Sequence, residues 1–148
     1  MRPVILSTLP HFVAIWFLLP LEGLAALQLY AGLIAASSCA SVAWHVHGEP
    51  YGRLFWLDYG LATAWTVTDL VLAAEGGAQL FATVAYLNVL TVMTNKLSDW
   101  LAEKGVVSYE VGHTAWHVAS WSKCWLVAWL LRGYAGGANN TASLSNSG

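Results

Sequence analysis

The chain has 148 residues, of which 57% are hydrophobic and 9% charged, with a mean hydropathy of +0.56. Soluble domains carry about 25% charged residues, so an ordinary water-facing surface is excluded, and the lack of a long polar tract excludes a disordered chain. Eight acids against six bases leave a net charge of −2 and no basic stripe to neutralise phosphates, which excludes a nucleic-acid partner.

A membrane-spanning helix needs ~20 mostly apolar residues, and five segments fit that description. The first covers about 4–19, with Pro10 expected to kink it and Pro20-Leu21-Glu22-Gly23 to stop it. Arg2, this apolar stretch and Gly23-Leu24-Ala25 also fit a signal peptide, although one arginine is a weak positive region and Pro20-Leu21-Glu22 a poor approach to a cleavage site. The second covers about 24–46 and ends at His47-Gly48-Glu49-Pro50; the third runs from 54 to Glu75-Gly76-Gly77; the fourth covers 78–95. Leu97, Trp100 and Leu101 follow helical spacing, so 96–105 is predicted to be a short interfacial helix capped by Gly105. The fifth covers 109–131, closed by Arg132-Gly133. The expected fold is an all-α integral membrane bundle of about five transmembrane helices over 1–134, with a disordered Gly/Ala/Asn/Ser-rich tail over 135–148. With five spans, Arg2, Arg53, Lys96 and Lys104 share one side and Arg132 stands on the other. That places the N-terminus in the cytoplasm and the tail, with its Asn139-Asn140-Thr141 sequon, outside.

An ionisable residue inside a span costs at least ~2.5–3.5 kcal/mol for Asp, Lys or Arg and is a functional hypothesis by default. Ser41 and His45 are four residues apart, as are His113 and His117, so each pair lies on one face of its helix. The five-span topology puts His45 at the end of the second helix, Asp58 near the start of the third, and His113 and His117 near the start of the fifth. Three imidazoles and a carboxylate therefore meet at one depth, on the predicted cytoplasmic side. Three neutral imidazoles with one open position form the usual catalytic zinc site. A haem would instead need histidines facing one another across two helices, and the histidines could also serve as hydrogen-bonding contacts at the membrane interface.

Ser41-Val42-Ala43-Trp44-His45, Leu57-Asp58-Tyr59-Gly60 and His113-Thr114-Ala115-Trp116-His117 resemble the CREST superfamily of membrane hydrolases. That superfamily includes the alkaline ceramidases, the progestin and adipoQ receptors and the myomaker-like proteins, and the context of the motifs looks closer to the last two. The resemblance implies Zn2+ held by His45, His113 and His117, Asp58 as general base on the attacking water, and Ser41 beside it, donating to the developing oxyanion. It implies hydrolysis of a ceramide-like lipid amide that enters from the bilayer; the alternative is a non-enzymatic receptor or membrane-remodelling relative with a structural zinc. Members of the superfamily resemble seven-helix bundles, whereas five spans are found here. The missing pair would lie between the fourth and fifth helices, removing part of the wall around a lipid chain, and a homodimer is one way to supply it.

Of the remaining residues, His47 points away from His45 along the helix, and His11 is read as a polar interfacial contact. Asp69 and Lys123 sit ~15–17 Å deeper than the site at 1.5 Å per residue and are expected to form a buried ion pair, since neither is stable alone in hydrocarbon. Tyr86 and Asn88 are expected to hydrogen-bond between helices. Trp121, Trp125 and Trp129 form one packing or lipid-facing stripe, and Cys39 and Cys124 are read as small buried hydrophobes.

Overall fold

The computed structural model describes residues 2–18 and 25–145, with side-chain burial given through residue 135. All regular structure among them is helical: α1 (Pro3–Thr8), a 3-10 turn (Leu9–Phe12), α2 (Val13–Leu18), α3 (Ala25–Val46), α4 (Arg53–Glu75), α5 (Ala78–Glu103) and α6 (Tyr109–Ser145). Counting α1, the 3-10 turn and α2 as one broken rod, five rods pack in chain order, each against the next, and α6 closes the ring by packing on α1 and α2.

Local chemistry explains the breaks. Pro10 lacks an N–H and its ring excludes an i−4 carbonyl, so the first rod tightens into the 3-10 turn instead of kinking a single α-helix. The carbonyl of Pro10 accepts a 2.7 Å bond from Trp125 Nε1–H, which fastens the turn to α6. The expected stop at Pro20–Gly23, and Leu24 beside it, lie outside the described residues. α3 ends in a Schellman motif: Glu49 N–H reaches Trp44 O (2.9 Å), Gly48 N–H reaches His45 O (3.2 Å), and Gly48 takes φ +80°. That left-handed position suits glycine. The turn folds Glu49 back over the end of α3.

Two predicted boundaries are corrected. The fourth apolar segment and the interfacial helix are one continuous α5 from Ala78 to Glu103. No Gly or Pro interrupts that stretch, and a change from apolar to charged composition does not by itself end a helix. Gly105, at φ +69°, does cap it as expected, through a second Schellman pair from Val106 N–H to Leu101 O and Gly105 N–H to Ala102 O (both 3.0 Å). Likewise Arg132-Gly133 does not close α6, whose backbone stays helical through Ser145. A glycine in a helix costs only about 1 kcal/mol, and no proline follows it in the sequence.

Two helices, Ala25–Val46 and Ala78–Glu103, are long and apolar enough to cross a membrane. α4 and α6 carry the ionisable residues Asp58, Asp69, His113, His117 and Lys123, which lower their apolar content. The core gathers Leu18, Tyr30, Ile34, Ala73, Val84, Cys124 and Val127. Cys124 is buried as expected, whereas Cys39 is exposed, on the outward side of α3.

At the middle of this core lies a polar cluster. Lys123 Nζ donates to Asp69 Oδ2 at 2.6 Å and to Asn88 Oδ1 at 3.1 Å. Tyr30 OH donates to Asp69 Oδ1 and accepts from Trp65 Nε1–H at 3.1 Å. The ammonium also stands 4.1 Å from the centroid of the Trp65 ring, a cation–π contact. The expected ion pair is thus present and joined by Asn88, while Tyr86 is exposed. Removing one partner of a buried pair leaves an uncompensated charge and costs about 3–5 kcal/mol. Lys123→Met is therefore expected to destabilise the fold by that amount in a denaturant titration of detergent-purified protein, and the double replacement Asp69→Leu/Lys123→Met by clearly less. Equal losses for the two variants would contradict charge pairing.

Candidate metal centre

His45 stands at the last turn of α3, and His113 and His117 in the first turns of α6; all three are buried. One nitrogen from each lies within 4.8 Å of the others, and the ring centroids are 4.9–5.1 Å apart. The three residues read from the sequence as ligands are thus brought together as a buried group that could hold a metal ion.

The hydrogen bonds decide which nitrogens point inward. His45 Nδ1 is 3.1 Å from Glu49 Oε1; an ionised carboxylate only accepts, so Nδ1 carries the proton and Nε2 the lone pair. His117 Nδ1 faces Thr8 Oγ1 at 2.9 Å and Ser7 Oγ at 3.2 Å. Both hydroxyls already donate to Val4 O, at 3.1 and 2.8 Å respectively, so both accept from Nδ1–H and leave the Nε2 of His117 bare. The two Nε2 atoms then face each other at 3.3 Å. His113 Nε2 is buried without any partner among the described residues. Converging lone pairs repel, and an orphaned buried nitrogen costs about 1–3 kcal/mol; a cation between them removes both penalties. Two nitrogens each 2.0–2.1 Å from a tetrahedral zinc are about 3.3 Å apart, the spacing the His45–His117 pair already has, while the three ligand atoms as a set lie within 4.8 Å of one another.

A polar cavity of about 40 Å³ adjoins His117 and is lined by Thr8, His11, Ser41, Asp58 and Ser120 among others. It has room for a few water molecules. Asp58 is buried there, and Ser41 lines the same cavity. His11 is buried rather than interfacial: its Nδ1–H donates to Thr8 O at 2.8 Å and its Nε2 accepts from Ser120 at 3.0 Å. Both nitrogens are spent, so it is a cavity wall and not a fourth ligand. His47 is exposed, with Nδ1 2.7 Å from Ala43 O, and faces away as expected.

Sequence reasoning passed over Glu49, Ser7, Thr8 and Ser120. Glu49 also meets Arg2 at 3.1 Å, which in turn reaches Glu110 at 3.1 Å. Partial burial would raise the Glu49 carboxyl, but hydrogen bonds from Tyr109 and His45 and the nearby Arg2 outweigh it and hold the group below the usual carboxylate range. The signal for Glu49 was the Gly at position 48: a left-handed residue after α3 returns the following side chain to the face of His45. Ser7 and Thr8 gave no such signal, because hydroxyls in an apolar helix are common.

α5 and α6 approach closely beside the site. A Cβ built on Gly112 would lie 3.1 Å from the Ser98 carbonyl oxygen, so only glycine sits there without displacing a backbone. Comparison with known protein families, characterised proteins and solved structures finds no match for this chain.

Gly112→Val is expected to push α6 from α5 and lower the metal content of purified protein well below that of wild type, while Gly112→Ala has a smaller effect. Mass-spectrometric metal analysis reads both, and full occupancy in the valine variant would contradict the close-packing account.

Proposed function

We propose that this chain is an integral membrane protein that binds one zinc ion through His45, His113 and His117 and hydrolyses a lipid amide of ceramide-like type. The observation that carries the metal is the convergence of two imidazole Nε2 atoms at 3.3 Å beside a third that has no partner among the described residues. The membrane part is supported by where the apolar residues lie. The apolar stretch of α5 is only 11% buried, and Trp16, Leu29, Trp56, Met93 and Trp129 are all more than half exposed. Such a surface calls for lipid or a partner around it.

Zinc in this position would polarise a carbonyl and bring the pKa of a coordinated water toward ~7. Asp58 lines the water-sized cavity beside His117, and its role in this reading is to take a proton from an attacking water. Ser41 lines the same cavity and can donate to charge developing on the substrate oxygen. Substrate class rests on the resemblance of the three motifs to the CREST superfamily.

The small cavity favours a second reading. About 40 Å³ admits water but not an acyl chain, as a receptor or membrane-remodelling protein with a structural zinc would require. Turnover separates the two. Near-stoichiometric zinc is expected in wild type, lost in His113→Ala and kept in Asp58→Asn. Release of fatty acid from a short-chain ceramide is expected to fall about 10²–10⁴-fold in Asp58→Asn, the usual contribution of a general base. Zinc without turnover in wild type selects the structural reading; no zinc in wild type removes both.

A further inference from the structure

Resting on the zinc reading above, we infer that Glu49 is a positioning residue of the metal centre, the carboxylate that fixes the tautomer and ring orientation of His45. Histidine ligands commonly donate their second N–H to a carboxylate, which raises ligand basicity and holds the ring in plane. Here that geometry is complete before any ion is considered. Oε1 of Glu49 lies 3.1 Å from His45 Nδ1, and the opposite edge of the ring presents Nε2 to His117 at 3.3 Å. The Schellman turn at Gly48 brings the carboxylate over the imidazole four residues earlier. Arg2 reaches the same Oε1 at 3.1 Å. Trp44 packs 5.0 Å from the His45 ring and donates its indole N–H to Pro50 O at 3.2 Å, holding the turn that carries Glu49. His117 has a neutral counterpart in Thr8 and Ser7, so the centre has one anionic orienting group, and it acts on His45.

A purely structural role for Glu49, as the knot between Arg2 and the α3–α4 turn, makes a different forecast from a role on His45. The test is the zinc dissociation constant of the full chain in detergent, read by competition with a fluorescent chelator, with thermal unfolding of the metal-free proteins recorded alongside. Glu49→Ala is expected to weaken zinc about 10–100-fold, the usual effect of losing such a partner. Glu49→Asp, which keeps the charge on a shorter stem, is expected to recover part of that loss. Arg2→Ala, which cuts the ion pair but leaves the His45 contact, is expected to bind zinc close to wild type. Wild-type affinity in Glu49→Ala, or an Arg2→Ala loss as large as that of Glu49→Ala, would overturn the inference while leaving the metal centre standing. An Asp variant that binds no tighter than the Ala variant would overturn it as well. Wild-type protein that binds no zinc would instead bring down the reading on which it rests.

Discussion

The Asp69–Lys123 pair is the contact on which the register of the bundle depends. α4 and α6 are not neighbours in the ring of rods, yet this pair joins them across the interior, with Tyr30 of α3 and Asn88 of α5 bonded to the same two groups. A charge pair in an apolar core tolerates little sliding, because moving either helix by one residue leaves a buried ion alone. Asp58 lies eleven residues before Asp69 on α4, and His113 ten residues before Lys123 on α6. At 1.5 Å per residue these are runs of about 16 and 15 Å. Pinning the deep ends at one level therefore pins the shallow ends at one level, where the carboxylate and the imidazoles are found.

At that shallow end the energetics are inverted. Three imidazole rings crowd together, and two of them are tied down at their outward nitrogens: His45 to Glu49, His117 to Thr8 and Ser7. The outward bonds fix the inward lone pairs, so the repulsion at 3.3 Å is built by the second layer of residues and not by the rings alone. Such an arrangement persists only if the surrounding fold over-determines it or an ion relieves it. The deep pair, the Gly112–Ser98 approach and the Schellman turn at Gly48 supply the first.

Much of this was legible in the sequence. Four-residue spacings placed Ser41 with His45 and His113 with His117, eleven residues returned Asp69 to the face of Asp58, and alternation of direction put the ends of α3, α4 and α6 on one level. These inferences use only helical period and chain reversal, which are properties of regular helices. What escaped depends on irregular structure or on what faces a helix. Glu49 sits in a turn whose left-handed glycine reverses the chain. Ser7 and Thr8 matter because α1 lies against α6, a long-range packing choice that no local pattern announces. The single α5 and the extended α6 are not legible because a change in composition does not mark a change in conformation: proline, glycine in a favourable context or a competing cap is what ends a helix.

The distribution of polarity also separates interior from exterior in an unusual sense. Inside the ring lie hydroxyls, imidazoles, two carboxylates and an ammonium; outside lie Trp16, Leu29, Trp56, Val71, Met93 and Trp129. In hydrocarbon the exterior costs nothing and the polar interior is stable only as a connected network, since an unsatisfied group there has no water to turn to. The interior meets that requirement along much of its length: Lys123 has Asp69 and Asn88, and His11 has Thr8 and Ser120. Among the described residues, the buried side-chain nitrogen left without a partner is Nε2 of His113, with Thr114 Oγ1 beside it in sequence also unpaired. On the membrane reading, a cation held at that point would complete the network.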